Sequence, residues 1–156
     1  MQERPFWQVL VFFLVLNFGA LALGNVLQGE GPRSDWYQSL NKAPWTPPGW
    51  VFGAMWTTIM ICFSIFMAKL VQIKGFASIA VLFLIQFVLN VSWNPVFFRF
   101  EQMGIALVII ISLAALVGYF LFAFRKEVKN YNLLMLPYFV WLLIATTLNA
   151  YALMNN

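Results

Sequence analysis

The chain has 156 residues, of which 63% are hydrophobic and only 9% are charged. Soluble domains carry charge on roughly a quarter of their residues, so this composition excludes an ordinary soluble protein and indicates a membrane protein. The net charge is +4, but the basic residues flank apolar stretches, so we expect no nucleic-acid partner. There is no His and a single Cys, which excludes a disulfide framework or a Cys/His metal site within one chain, and we expect no metal and no cofactor.

Five apolar stretches contain no Asp, Glu, Lys or Arg: residues 6–26, 50–68, 76–98, 103–124 and 133–154. Each is close to the ~20 helical residues that cross the hydrocarbon core of a bilayer. The first stretch is too long for a signal peptide and lacks the small-residue cleavage site, so we expect it to be retained. We therefore predict one all-α domain over residues 1–156, an integral membrane bundle of five transmembrane helices with a long first extramembrane loop at 27–49.

The distribution of Lys and Arg predicts the orientation of these helices, because cytoplasmic loops are enriched in both residues. With five spans, one side of the membrane carries six basic residues and the other carries three: Arg4, Lys69, Lys74, Arg125, Lys126 and Lys129 against Arg33, Lys42 and Arg99. If the membrane is a bacterial cell membrane, which is the setting we expect, this bias predicts a cytoplasmic N-terminus.

The loop at residues 27–49 is long for a compact protein, which is typical of a functional or a disordered segment. Its aromatic residues argue against disorder. It ends in "KAPWTPPGW", in which Pro47 and Pro48 are expected in the first turn of the second long helix, with Thr46 as its N-cap. Trp45 is typical of a membrane interface.

Polar residues in the third stretch share one helical face, because Gln86, Asn90 and Asn94 follow each other at intervals of four. Two interpretations stay open. The amides either hydrogen-bond neighbouring helices, as polar residues in membrane helices commonly do, or they line a pocket.

Tryptophan residues favour the pocket. By helical rise, Trp56 and Trp93 lie roughly 8–9 Å below the outer ends of their helices, Asn90 lies a turn deeper, and Trp141 lies about 20 Å deep. Buried indoles need hydrogen-bond partners, and several at one depth are typical of a lined cavity, although large aromatics also simply fill bundle cores. Gly53 and Ala145 would leave open space in such a pocket, and Leu148 would add an apolar wall.

No ionisable Asp, Glu, Lys or Arg lies inside any span, which argues against a proton or ion pump. Serine residues without His or carboxylate partners lack an activating base, so the sequence holds no conventional catalytic constellation.

Three blocks of sequence resemble the TspO/MBR family, which includes the translocator proteins once called peripheral benzodiazepine receptors. They are "WYQSLNKAPWTPPGWVFGAMW" (Trp36–Trp56), "QFVLNVSWNPVFFRFEQMGIALV" (Gln86–Val108) and "PYFVWLLIATTLNAY" (Pro137–Tyr151). The resemblance implies a five-helix bundle, usually a homodimer, whose first loop covers a cavity for porphyrins such as protoporphyrin IX, and for isoquinoline carboxamide-type drugs. It also implies a role in tetrapyrrole or stress regulation.

Carried onto this sequence, the resemblance and the depth argument together give these ligand-binding candidates: Tyr37, Trp45, Phe52, Gly53, Trp56, Asn90, Trp93, Trp141, Ala145 and Leu148. Sterol-binding members carry a basic residue after a C-terminal Leu and Tyr, whereas Tyr151 is followed here by "ALMNN", so a sterol is not the expected ligand.

Three functions remain at this point: a receptor or translocator for a flat hydrophobic ligand, a light-dependent porphyrin-degrading enzyme that uses Trp56 and Trp141, and a structural or partner-binding membrane bundle. At the mouth of the cavity, Arg33 or Lys42 is the expected contact for the propionates of a porphyrin.

Overall fold

A computed structural model describes residues 4–156, and five of its helices are long and apolar enough to span a membrane. The helices are α1 (Phe6–Leu27), α2 (Asp35–Ser39), α3 (Gly49–Lys74), α4 (Phe76–Asn94), α5 (Met103–Ala123), α6 (Arg125–Val128) and α7 (Leu136–Asn155). The prediction of an all-α integral membrane bundle is confirmed.

The five long helices close into a ring, in which α1 packs against α3 and α4, α5 packs against α4 and α7, and α3 completes the ring against α7. The second long helix continues to Lys74, six residues beyond the apolar stretch that ends at 68, because its last turns remain packed in the bundle. Leu70 is fully buried there.

The core is densest along α3, where Ile59, Met60, Phe63, Phe66 and Met67 are fully buried. Phe63 contacts the rings of Phe83, Phe120 and Tyr138 from three other helices. Close packing of this kind is the main attraction between helices in lipid, where no hydrophobic force drives them together.

Small residues let α1 and α5 approach their neighbours. Gly24 of α1 lies against Asn94 of α4, and Gly118 of α5 lies against Phe139 of α7. The spacings Ala20-x-x-x-Gly24 and Ala114-x-x-x-Gly118 therefore serve contacts inside one chain.

The first loop is ordered by short elements of its own. A 3-10 turn covers Gly31–Arg33, and Ser34 caps α2 by accepting a hydrogen bond from the Tyr37 amide at 3.2 Å. The N-cap predicted at Thr46 is wrong. The α3 helix begins at Gly49 after an extended Pro48, and the Thr46 hydroxyl instead donates to the Ala43 carbonyl at 2.7 Å, in a turn that precedes the helix.

The α-helical register of the third span ends at Asn94, and residues Pro95–Arg99 form a π-helical turn. Pro95 has no backbone N–H and so cannot continue the ordinary hydrogen-bond pattern. Turns of this type are frequent at functional sites, and this one lies beneath the first loop.

Candidate ligand-binding site

Two small cavities adjoin each other at the end of the bundle that the first loop covers. The outer one has a volume of about 60 Å³ and the inner one about 40 Å³. Phe52, Trp93 and Ala145 line both, so these side chains lie between them. The outer cavity lies between the loop and the ends of α4 and α7, and the inner one lies between α3, α4, α5 and α7.

An aromatic cluster joins the first loop to the π-helical turn. Trp36 and Tyr37 meet Phe97 edge to face, with ring centroids 5.7 and 6.3 Å apart, and Tyr37 also meets Phe98 at 5.3 Å. Trp93 stacks on Phe97 at 5.0 Å. The loop is therefore held over the outer cavity by aromatic contacts, each worth roughly 0.5–1.5 kcal/mol beyond the area that it buries.

Hydrogen bonds also tie the loop to α7. The backbone N–H of Asn41 donates to Asn156 Oδ1 at 2.8 Å, and Asn156 Nδ2 donates to the backbone carbonyl of Asn41 at 3.1 Å. Trp45 Nε1 donates to Thr147 Oγ1 at 3.1 Å, and its ring contacts Tyr151. These few contacts hold the second half of the loop against α7.

Asn149 joins three elements at the boundary of the outer cavity. Its Oδ1 accepts a hydrogen bond from Trp93 Nε1 at 3.1 Å, and its Nδ2 donates to the Met103 carbonyl at 3.0 Å. Because both ends of the amide are satisfied, Trp93 is held in one orientation between the two cavities.

Gln86, Asn90 and Asn94 lie at intervals of four on α4 and are here called the amide stripe. The stripe divides into two parts. Gln86 Nε2 donates to the Tyr138 hydroxyl on α7 at 2.6 Å, so this residue hydrogen-bonds a neighbouring helix. Asn90, one turn further along, is only 7% exposed and lines the inner cavity. Its side chain has no hydrogen bond to any of residues 4–156. Because this amide faces the cavity, its polar atoms are available to a ligand or to water.

Two tryptophans form the apolar walls of the inner cavity. Trp141 is almost fully buried and meets Phe52 edge to face at 5.2 Å. Trp56 contacts Tyr138 at 6.0 Å. Ile110 and Leu113 of α5 close the cavity on the opposite side.

The outer cavity carries the charged group of the site. Lys42 lines it, with its Nζ atom 4.6 Å from the centre of the Tyr37 ring and 3.3 Å from the Gln38 carbonyl. Burial raises the pKa of the Tyr37 phenol, so this side chain is neutral at physiological pH. Arg33 is exposed and does not line either cavity.

Eight of the ten candidate residues line one or both cavities: Tyr37, Phe52, Trp56, Asn90, Trp93, Trp141, Ala145 and Leu148. Trp45 is 53% exposed and packs on the outside of α7. Gly53 is exposed, and a Cβ atom there would meet nothing within 4 Å.

Other lining residues were not singled out as ligand-binding candidates, among them Phe98, Asn94, Ile110 and Leu113. Asn94 is signalled by its place in the amide stripe. Ile110 and Leu113 belong to a helix that is apolar on all sides, and nothing in its sequence separates them from their neighbours.

The cavities are small. Sites for drug-sized ligands usually measure about 300–1,000 Å³, several times the space present here. A large ligand therefore needs the first loop to move, together with Phe52 or Trp93.

The fold and the site together define a five-helix integral membrane protein with an aromatic, amide-bearing cavity beneath its first loop. A model of the TspO/MBR family matches residues 10–154, and the chain belongs to this family. It is 29% identical over 150 residues to a "Tryptophan-rich sensory protein" of Cereibacter sphaeroides, covering 96% of this chain and 92% of that protein.

Two other relatives span bacteria and mammals. The chain is 33% identical over 151 residues to the "Translocator protein" of Homo sapiens, covering 93% of this chain and 88% of the human protein. It is also 33% identical over 129 residues to the "Tryptophan-rich protein TspO" of Chlorobaculum tepidum, covering 80% and 82% of the two chains.

Proposed function

We propose that this protein binds protoporphyrin IX or a similar flat hydrophobic ligand in the space now divided into the outer and inner cavities. The observation that carries the proposal is the unpartnered Asn90 amide among the rings of Phe52, Trp56, Trp93 and Trp141. Aromatic walls suit the faces of a tetrapyrrole, and a few convergent polar groups are what a ligand site needs to orient its ligand.

The charge at the outer cavity supports an anionic end on this ligand. Lys42 lines the space nearest the loop surface, and a carboxylate there gains a charge-assisted hydrogen bond. The inner lining has no charged residue. A porphyrin would therefore keep its propionates at Lys42 and direct the rest of its ring inward, since a buried unpaired carboxylate is very costly.

The loop acts as a lid in this proposal. Its aromatic and hydrogen-bonded contacts with the π-helical turn and α7 are individually weak, so they open at low cost when a ligand enters. A stiff, proline-containing segment loses little further conformational entropy when it closes again. Isoquinoline carboxamide-type molecules, which are flat and carry an amide, belong to the same ligand class.

Tryptophan fluorescence tests this function. Protoporphyrin IX titrated in the dark into detergent-purified protein should quench the emission saturably. Trp141→Phe and Asn90→Ala should each weaken the affinity by roughly tenfold, because each removes a wall or a polar contact of the inner cavity. Trp7→Phe, at an exposed position on α1 at the opposite end of the bundle, is the matched control and should leave the affinity unchanged. Absence of saturable quenching would favour a structural or partner-binding bundle instead.

A second function, light-dependent porphyrin degradation, is favoured by one observation. Trp56 and Trp141 line the same inner cavity, where both indoles would contact a bound macrocycle. In that case the excited porphyrin and dioxygen supply the oxidising chemistry and the indoles take part in it. Loss of porphyrin absorbance under illumination should require dioxygen. In Trp56→Phe the porphyrin should still bind but should no longer be bleached by light. Bleaching at the wild-type rate in that variant would exclude the role of Trp56.

We propose a bacterial cell membrane with a cytoplasmic N-terminus as the setting, and a role in tetrapyrrole or stress regulation. The support for the orientation is the excess of Lys and Arg at the end of the bundle opposite the first loop. Reporter fusions at the two termini test this orientation. A reporter that is active only outside the cytoplasm should be active at the C-terminus and inactive at the N-terminus.

We also propose a homodimer, on family membership alone. Light scattering of the purified protein, with the detergent contribution subtracted, would give twice the chain mass if this is right and the chain mass if it is wrong.

A further inference from the structure

The inner cavity has a second amide besides Asn90. Asn94 lies one turn further along α4, is half-buried, and lines the same cavity. Its Nδ2 atom is 3.5 Å from the Asn90 carbonyl, the long end of the hydrogen-bond range. This side chain is therefore held only weakly by its own helix.

Packing against α1 limits the position of Asn94. Gly24 is buried opposite the Asn94 amide, and a Cβ atom added at Gly24 would lie 2.7 Å from Asn94 Nδ2 and 3.3 Å from its Cγ. Contacts below 3 Å do not occur at real Cβ atoms, so a larger residue at position 24 would displace the amide. Displacement away from α1 moves the amide toward the inner cavity, which Asn94 borders.

We propose that Asn94, positioned by the absence of a side chain at Gly24, is a specificity-determining residue of the inner cavity. With Asn90 it presents a pair of neutral amides, so the preferred ligands carry neutral hydrogen-bonding groups on the edge that enters first. This inference rests on the proposed binding function and adds the chemistry of the inner end of the ligand.

The pairing of two neutral amides sets the class of ligand. Each amide has both donor and acceptor atoms, which suits hydroxyl, carbonyl or amide groups. A site that hydrogen-bonds such groups discriminates strongly against analogues that lack them, because its own polar atoms are then left unpaired. A carboxylate at the same place would be buried without a positive partner, since the inner lining has none.

Two porphyrins separate this inference from the general binding function. Haematoporphyrin differs from protoporphyrin IX in carrying hydroxyethyl groups in place of the two vinyl groups, on the ring edge remote from the propionates. Affinities are measured by tryptophan quenching in the dark for wild type and for Asn94→Leu, which keeps the side-chain volume. We expect the Kd of haematoporphyrin to rise about tenfold in the variant, the ratio that one hydrogen bond is worth. The Kd of protoporphyrin IX, whose vinyl groups form no hydrogen bond with an amide, should rise clearly less, so that the ratio of the two Kd values changes in the variant.

The contact with Gly24 has its own test. Gly24→Ala should weaken the binding of both porphyrins, because the displaced amide occupies the inner cavity, and Gly24→Ala combined with Asn94→Ala should restore protoporphyrin IX affinity. Gly19→Ala is the matched control, because it lies on the same helix and its Cβ would meet nothing within 4 Å. Both alanines raise helix propensity equally, so a difference between them reports the contact with Asn94. Melting temperatures identify any variant that has lost its fold.

Equal changes for the two porphyrins in Asn94→Leu, or no change in either, would overturn the assignment of Asn94. So would failure of the Asn94→Ala change to rescue Gly24→Ala. If wild type shows no saturable quenching with either porphyrin, the proposed function fails and this inference fails with it.

Discussion

The two ends of the bundle hold cavities of opposite character. At the end away from the first loop, a groove of about 410 Å³ lies between α1 and α4, with no polar surface and with the rings of Phe12, Phe13, Phe76, Phe83 and Phe87 in its lining. At the loop end, the two cavities are together far smaller but include Lys42, Asn90, Asn94 and Asn149. Volume alone would favour the groove, but an entirely apolar lining has no polar group to orient a ligand.

The groove also opens toward the lipid of the membrane. Leu84, Phe12 and Phe76 at its rim are 61%, 47% and 40% exposed on helices that lie in the hydrocarbon region. Acyl chains satisfy an apolar surface at that depth without any special ligand. The cavities beneath the loop are less open than the groove, and their lining includes polar side chains that a ligand can contact.

The largest expected effect tests the difference between paired and unpaired amides on α4. Tyr138→Phe removes the hydroxyl that accepts the hydrogen bond from Gln86 Nε2. Because Gln86 Oε1 already has no partner among residues 4–156, the whole buried amide is then unpaired. We expect a loss of about 1–3 kcal/mol in the free energy of unfolding, seen as a melting temperature lower by roughly 3–10 °C.

Asn90→Leu is the comparison for Tyr138→Phe. It replaces an amide that has no hydrogen-bond partner among residues 4–156, so stability should stay constant or rise slightly. Equal destabilisation by the two variants would show that Asn90 is hydrogen-bonded in the resting protein, and would remove the argument that its amide is available to a ligand.

A smaller effect is expected at the hydrogen bonds that join the first loop to α7. Asn156→Ala removes the two hydrogen bonds to the backbone of Asn41, so the lid should open more often. The dissociation rate of protoporphyrin IX in stopped-flow measurements should rise about three- to tenfold.

The neighbouring Asn155→Ala controls for this change. The Asn155 amide donates to the Tyr151 carbonyl of its own helix and does not contact the loop. If the two variants release the ligand at the same rate, the Asn156 contact does not hold the lid.

The smallest effect is expected in the large groove. Ala80→Trp should fill much of it and leave porphyrin affinity within about twofold of wild type, because the proposed site lies at the other end of the bundle. Ala77→Trp, at an exposed position on the same helix that does not line the groove, gives the background effect. A selective loss of affinity in Ala80→Trp would mean that the groove takes part in ligand binding.

Much of this site follows from regular helical geometry. Trp56 and Trp93 could be assigned to one level, with Asn90 one turn deeper, because each residue of a helix advances by a constant rise. That extrapolation ends at Asn94, where Pro95 starts a π-helical turn, and so the sequence did not show that Phe98 lines the outer cavity. Trp45 shows another limit, since its aromatic character is evident but only the position of α7 puts it outside the cavity.

Composition and periodicity by themselves determined the five membrane-spanning helices and the long first loop, and the resemblance of three blocks of residues indicated the TspO/MBR family. Only the tertiary structure decided which polar side chains find a partner: Gln86 Nε2 donates to Tyr138, 52 positions away, while the Asn90 side chain has no hydrogen bond to residues 4–156. The contact between Gly24 and Asn94 is of the same kind. Such pairs depend on how each helix is rotated and how closely it crosses its neighbour, and these quantities arise from packing among all five helices rather than from the pattern along any one of them.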